Sequence, residues 1–153
     1  MDKTKKAKRY ERVFLQLSGL LDKPGNRLSK MATIAAVLHH KMDHFFWTGF
    51  YLANKDTLTA GPYQGPVACQ TLDKDQGVCW AAVNRGESII VRDVHRFPGH
   101  IACDGRSNSE IVVPLKDGTG SVTAVLDIDS RDFDAFDEID RHGLESILSL
   151  LDK

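Results

Sequence analysis

Ile111-Val112-Val113-Pro114-Leu115-Lys116-Asp117-Gly118-Thr119-Gly120-Ser121-Val122-Thr123-Ala124-Val125-Leu126-Asp127-Ile128-Asp129 decides the fold class. Two apolar runs flank Asp117-Gly118, a strong short-range hairpin signal, so 111–115 and 121–128 read as antiparallel neighbours. Working outward, residues 88–91 read as a further strand. Residues 45–53, with Gly49 inside, read as another, and 58–63 as its hairpin partner. Residues 77–84 look like a short helix closed by Gly86. Both ends of the chain carry helical spacing. Tyr10, Phe14, Leu17 and Leu21 mark a helix over 4–21, stopped by Pro24-Gly25-Asn26. Leu28, Met31, Ala35, Leu38 and Met42 mark a second, and Phe136, Ile139, Gly143, Ile147 and Leu150 a closing one. An antiparallel sheet between terminal helices is α+β.

The chain has 153 residues and 17.0 kDa, which suits one domain over 1–153. It is 42% hydrophobic and 27% charged, an ordinary globular balance. Its formal charge of -1 argues against nucleic acid as main partner. No apolar run approaches the roughly 18 residues of a spanning helix, and Met-Asp-Lys-Thr-Lys-Lys has no apolar segment behind it, so neither membrane nor secretory signal is expected. Three cysteines are an odd number and leave at least one thiol outside any intramolecular disulfide. Together these features indicate the cytoplasm. Lys3, Lys5, Lys6, Lys8, Arg9 and Arg12 make a basic head, read as the solvated face of the first helix. The region after residue 126 is acidic.

Residues 92–109 break every period and hold His95, His100, Cys103, Gly99 and Gly105. A long irregular stretch in a small domain is usually a functional loop. Cys103 sits there in polar company with Arg106 close by, which suits a reactive thiolate. Cys79, between Val78 and Trp80, suits a buried thiol. No Cys-x-x-Cys pair occurs. Cys69, Cys79, His100 and Cys103 could in principle bind zinc, although their spacing is unlike that of tight zinc-ligand pairs. His39, His40 and His44 read as surface residues at a helix C-terminus. Asp127 and Asp129 share one strand face, about 7 Å apart. Counting back from the hairpin puts Glu110 roughly level with Ile128, within reach of both. Clustered acids cannot all stay ionised, so one should hold a proton near neutrality. Trp47 and Tyr51, four apart on a strand, face one way and could wall a small apolar group.

Several runs together resemble the free methionine-(R)-sulfoxide reductases, small GAF-domain enzymes. They are Trp47-Thr48-Gly49-Phe50-Tyr51, Gly61-Pro62-Tyr63-Gln64-Gly65-Pro66-Val67-Ala68-Cys69-Gln70, Gly77-Val78-Cys79, Phe97-Pro98-Gly99-His100-Ile101-Ala102-Cys103-Asp104-Gly105, Ser109-Glu110-Ile111-Val112-Val113-Pro114 and Leu126-Asp127-Ile128-Asp129-Ser130. The resemblance covers roughly residues 25–150. Trp80 departs from it, standing where the family usually has a small residue.

The resemblance implies a GAF-like fold, with a central six-stranded antiparallel sheet flanked by N- and C-terminal helices, often as a homodimer. It implies Cys103 as nucleophile, Cys69 as resolving thiol and Cys79 as an auxiliary one. It also implies that Glu110, Asp127 and Asp129 act on the sulfoxide, and that Trp47 and Tyr51 line the methyl pocket. The expected reaction reduces free methionine-(R)-sulfoxide through a cysteine sulfenic acid and an intramolecular disulfide, recycled by thioredoxin or a similar dithiol, with no metal, flavin or nucleotide. Gly99 and Gly105 would hinge the 92–109 loop over a closed pocket. The alternatives are a ligand- or redox-sensing GAF module without turnover, and a zinc-bound structural protein.

Overall fold

Side chains from the preceding turns start the first two helices. The Asp2 carboxylate accepts from the N–H groups of Thr4 and Lys5 and opens α1 (Lys3–Leu21). Asn26 accepts from the Ser29 N–H at 2.8 Å and opens α2 (Arg27–Lys41). The chain continues through β1 (Trp47–Asn54), β2 (Thr57–Gln64), β3 (Thr71–Leu72), α3 (Gly77–Arg85), β4 (Ile89–Val91), β5 (Ser109–Lys116), β6 (Val122–Ser130) and α4 (Glu138–Leu148). This is a computed structural model that describes residues 2–100 and 103–152. Ile101 and Ala102 of the expected loop lie outside the described residues.

The strands form one six-stranded sheet in the order β3-β2-β1-β6-β5-β4, and the neighbours pair antiparallel. The period of two divides its faces. Phe50, Ile111, Leu126 and Ile128 point to one side and pack against Leu17 of α1, Ile34 and Leu38 of α2, and Leu144 and Ile147 of α4. All of these are fully buried, each worth about 1.5–3 kcal/mol of transfer free energy. Val112 and Val125 point to the other side and pack against Val78, Trp80 and Ala82 of α3. The expected α+β architecture stands, and α3 covers the second face together with Val94 of the following short turn. β3 has no sequence signature. It is held by pairing to Leu58 and Thr59 and by Trp80, whose indole N–H donates to the Leu72 carbonyl at 3.1 Å.

The 116–122 connection differs from a two-residue Asp-Gly turn. The Asp117 carboxylate accepts from the N–H groups of Thr119 and Ser121, and Gly120, at φ 88°, takes the left-handed position. A bulge between Leu115 and Lys116 then changes the register. Lys116 pairs with Val122, and regular counting from there would set Glu110 opposite Ile128. Glu110 instead lies opposite Asp129, one residue further along. Directly paired residues share a face and a one-residue slip reverses it, so the bulge brings Glu110 to the side of Asp127 and Asp129.

On the helix-covered side, the basic head departs from a fully solvated face. Lys3, Lys5, Lys8 and Arg12 are exposed, but Lys6 is buried and its Nζ lies 2.7 Å from Asp140. The Tyr10 hydroxyl donates to Asp140 at 2.7 Å, and the Asp137 N–H at 2.9 Å. His44 Nε2 completes the set at 2.8 Å. Gly143 lets α1 approach α4 here, because a Cβ at that position would fall 2.4 Å from the Tyr10 ring. His44 is therefore part of a buried network, not a surface companion of His40. It lies beyond the end of α2.

Candidate active site

The second face of the sheet carries the site. Trp47 pairs with Asp129, and Asp129 with Glu110, making a row across β1, β6 and β5. Asp127 sits one step along, opposite Gly49 and Val112. Gly49 is required by close approach: a Cβ there would lie 2.3 Å from the Tyr63 Cβ and 2.6 Å from the Trp47 ring. Its absence lets the indole lie between Tyr51, with centroids 5.8 Å apart, and Tyr63, at 5.3 Å.

The two expected pocket aromatics have a second job in their polar ends. Trp47 Nε1 donates to the Pro66 carbonyl at 2.9 Å, and the Tyr51 hydroxyl donates to the Cys69 carbonyl at 2.9 Å. The segment carrying Cys69 is thus tied down over the sheet. Cys69 is disulfide-bonded to Cys103, 34 positions on, with the two Cα atoms 5.5 Å apart. Beneath lies a part-open cavity of about 60 Å³. Trp47, Tyr51, Glu110, Asp127 and Asp129 floor it, the start of α3 with Cys79 walls it, and His100, Cys103 and Ser107 border it. Seven of the eight expected site residues therefore line one cavity, and the eighth, Cys69, is joined to it through its bond to Cys103.

The acids face each other without a cationic side chain among the described lining residues. Burial, then the neighbouring Asp127 and Asp129 carboxylates, push the Glu110 carboxyl well above its ordinary range. Burial and then Asp127 do the same to Asp129. Burial also raises Asp127, but hydrogen bonds from Glu110 and Cys79 oppose that rise. The consistent state has Asp127 charged, with Glu110 holding a proton toward it. Burial, then the acids, also raise the Tyr51 phenol and the Cys79 thiol. Cys79 Sγ and carboxylate oxygens of Glu110 and Asp127 lie within 4.8 Å of one another, close enough to share a cation. Burial raises both the thiol and the Glu110 carboxyl, which favours their protonated forms.

The GAF domain model matches residues 31–152. The free methionine-R-sulfoxide reductase of Escherichia coli (strain K12) is 44% identical over 126 residues, covering 82% of this chain and 76% of that relative. The chain belongs to the free methionine-R-sulfoxide reductase family of GAF domains. GAF domain-containing protein A of Dictyostelium discoideum is 43% identical, covering 99% of this chain and 96% of the relative. The X-ray structure of free methionine-R-sulfoxide reductase from Neisseria meningitidis in complex with its substrate superposes with a TM-score of 0.91. It has 38% identity and covers 99% of this chain and 89% of that one.

Other features of this GAF domain depart from the residue-by-residue expectations. Arg106 is engaged away from the thiol: its guanidinium is bidentate to Asp104, at 2.9 and 2.7 Å, and lies over the Phe46 ring. The Cys69–Cys103 bond removes two sulfurs from the zinc set considered for Cys69, Cys79, His100 and Cys103. His100 borders the cavity, and burial followed by the nearby His95 lowers its pKa, favouring the neutral ring. His39 is half-buried and contacts the Thr48 hydroxyl at 3.1 Å. Of the expected loop hinges, Gly99 has φ 73° and packs near the Gly77 backbone, while Gly105 is outside the left-handed region. Ser107, buried at the cavity edge, escaped the residue reading. Its only signal was its place in the irregular 92–109 stretch.

Proposed function

We propose that this chain reduces free methionine-(R)-sulfoxide to methionine. The observation that carries the reading is the Cys69–Cys103 disulfide beside a cavity floored by three buried acids. The relatives from Escherichia coli and Neisseria meningitidis support the substrate. Glu110, protonated by its surroundings, donates to the sulfoxide oxygen as the Cys103 thiolate attacks sulfur. The hydroxyl then passes from the substrate sulfur to Cys103 Sγ: the substrate S–O bond and the transient S–S bond break, a Cys103 S–O bond forms, and methionine departs, leaving Cys103 as a sulfenic acid. The Cys69 thiol attacks that sulfur, water departs, and the observed disulfide forms. An external dithiol of the thioredoxin class takes up the oxidising equivalents and restores both thiols.

Trp47 and Tyr51 supply the wall for the S-methyl group, and their hydrogen bonds keep Cys69 near Cys103. Asp129 and the charged Asp127 hold Glu110 in its proton-bearing state. The small cavity bordered by Val67, Ala68, His100, Cys103 and Ser107 favours a free amino acid over a residue within a polypeptide. The same reading places the chain in the cytoplasm, where a thioredoxin pool exists, as a single GAF domain over 1–153 that pairs with a second copy. Among the described residues, no helix is long and apolar enough to cross a membrane.

Separated sulfoxide diastereomers and a peptide-bound control, assayed with a thioredoxin system and amino-acid analysis, test the proposal. Methionine should form from the free R form alone. Disulfide formation without methionine would instead support a redox sensor. Cys103→Ser should abolish turnover. Cys69→Ser should release one equivalent of methionine and then stop.

A further inference from the structure

Cys79 is left without a part in this cycle. Among the described cysteines it is the free one, and it lies buried on α3 behind the acids. A buried thiol that resists ionisation is a poor attacking group for a sulfenic acid. Its surroundings suggest different work. Cys79 Sγ lies within 4.8 Å of carboxylate oxygens of both Glu110 and Asp127. Asp127 is 6% exposed, and its Oδ1 is buried with no hydrogen-bond partner. A charged carboxylate in that position needs donors, and those at hand are the Glu110 carboxyl proton and the Cys79 S–H.

We propose that Cys79 is a positioning residue for the acid cluster: its thiol donates a hydrogen bond to Asp127, keeping Asp127 charged and Glu110 the proton carrier. This rests on the reductase reading above and replaces the auxiliary resolving role implied for Cys79. The groups that face Asp127 are Glu110 from β5, Asp129 from its own strand, Tyr51 from β1 and Cys79 from α3. His100 and Asp104 come from the overhanging segment. Of these, Cys79 and Glu110 bring their sulfur and carboxyl oxygen within 4.8 Å of an Asp127 carboxylate oxygen. Without the thiol, Asp127 takes up a proton more readily, and less of the enzyme holds the Asp127-charged, Glu110-protonated arrangement.

Two measurements decide this. The first is single-turnover methionine release from reduced enzyme across pH, comparing Cys79→Ala with Cys79→Ser, alongside thioredoxin-dependent cycling. Cys79→Ala should slow release roughly three- to tenfold and move the acid limb of the profile to higher pH. Cys79→Ser, which keeps a donor, should restore most of the rate and the wild-type limb. Normal release in both variants, with cycling lost in both, would make Cys79 a resolving thiol and overturn the proposal. Wild-type behaviour of Cys79→Ala would overturn it as well. If wild-type enzyme itself releases no methionine, the reductase reading fails first. The second measurement is the infrared S–H band of the disulfide form, in which Cys79 supplies the remaining thiol of the three cysteines. Asp127→Asn should shift that band toward the frequency of an unbonded thiol, and an unmoved band would overturn the proposal without recourse to a Cys79 variant.

Discussion

Two groups of buried carboxylates occupy opposite sides of one sheet and behave in opposite ways. Asp140, fully buried on the helix-covered side, accepts from Lys6, Tyr10, the Asp137 N–H and His44. Burial alone would raise its pKa, but the His44, Lys6, Tyr10 and Asp137 hydrogen bonds overcome that and bring it down to about 2. Glu110, Asp127 and Asp129 are buried on the cavity side with chiefly one another for company, and all three are raised. Burial is common to both places, and the supply of donors is what differs. A carboxylate with a donor for each lone pair becomes a charged cross-link between α1 and α4. Carboxyls starved of donors, as Glu110 and Asp129 are, keep their protons, and a kept proton is what a general acid needs.

The contrast breaks most sharply at Glu110. Glu110→Gln keeps the shape and removes the proton donor, so the methionine-releasing step should slow by about 10²- to 10⁴-fold while substrate binding changes little. Rapid-quench single turnovers measure this, and an unchanged rate would remove Glu110 as donor. The matching change on the other side, Asp140→Asn, should leave the chemistry intact in the folded fraction. It leaves Lys6 buried without its counter-charge and should destabilise the protein by about 3–5 kcal/mol in urea titration.

Acid sharpens the comparison further. Asp140 has a folded pKa below its unfolded value, so its contribution is present above about pH 4 and disappears as pH falls through about 2. That contribution is of order 2–3 kcal/mol, and wild-type stability should lose it over that window while Asp140→Asn does not. Glu110 and Asp129 carry the opposite sign. Their folded pKa values lie above the unfolded ones, so the stability they contribute is present below about pH 4 and declines as pH rises toward the folded values. Glu110→Gln should flatten this decline and raise stability at pH 8, the smallest of these effects, readable as a shifted urea midpoint.

Much of this arrangement is legible in the sequence. Helical spacing placed α1, α2 and α4, and the apolar runs placed β5 and β6. Alternation put Asp127 and Asp129 on one face, and the polar company of Cys103 singled it out. Other features had no local signature. Lys6 looked like any lysine of the basic head, because its partner Asp140 is 134 positions away. His44 resembled its histidine neighbours until the chain turned it toward the same carboxylate. β3 is two residues long and exists because Leu58, Thr59 and Trp80 hold it.

From its residues alone this chain determined the parity of its strands, the apolar stripes of its helices and the chemical types available to a site, because these depend on local period and composition. The tertiary structure decided which side of the sheet Glu110 would occupy. A single bulge at Leu115/Lys116 reverses the facing of everything before it on β5, and nothing in the alternation of 109–116 records that shift. It likewise decided that Cys69 and Cys103 would meet and that Cys79 would lie against Asp127, since those contacts join segments brought together only by the closed sheet and the helix laid across it.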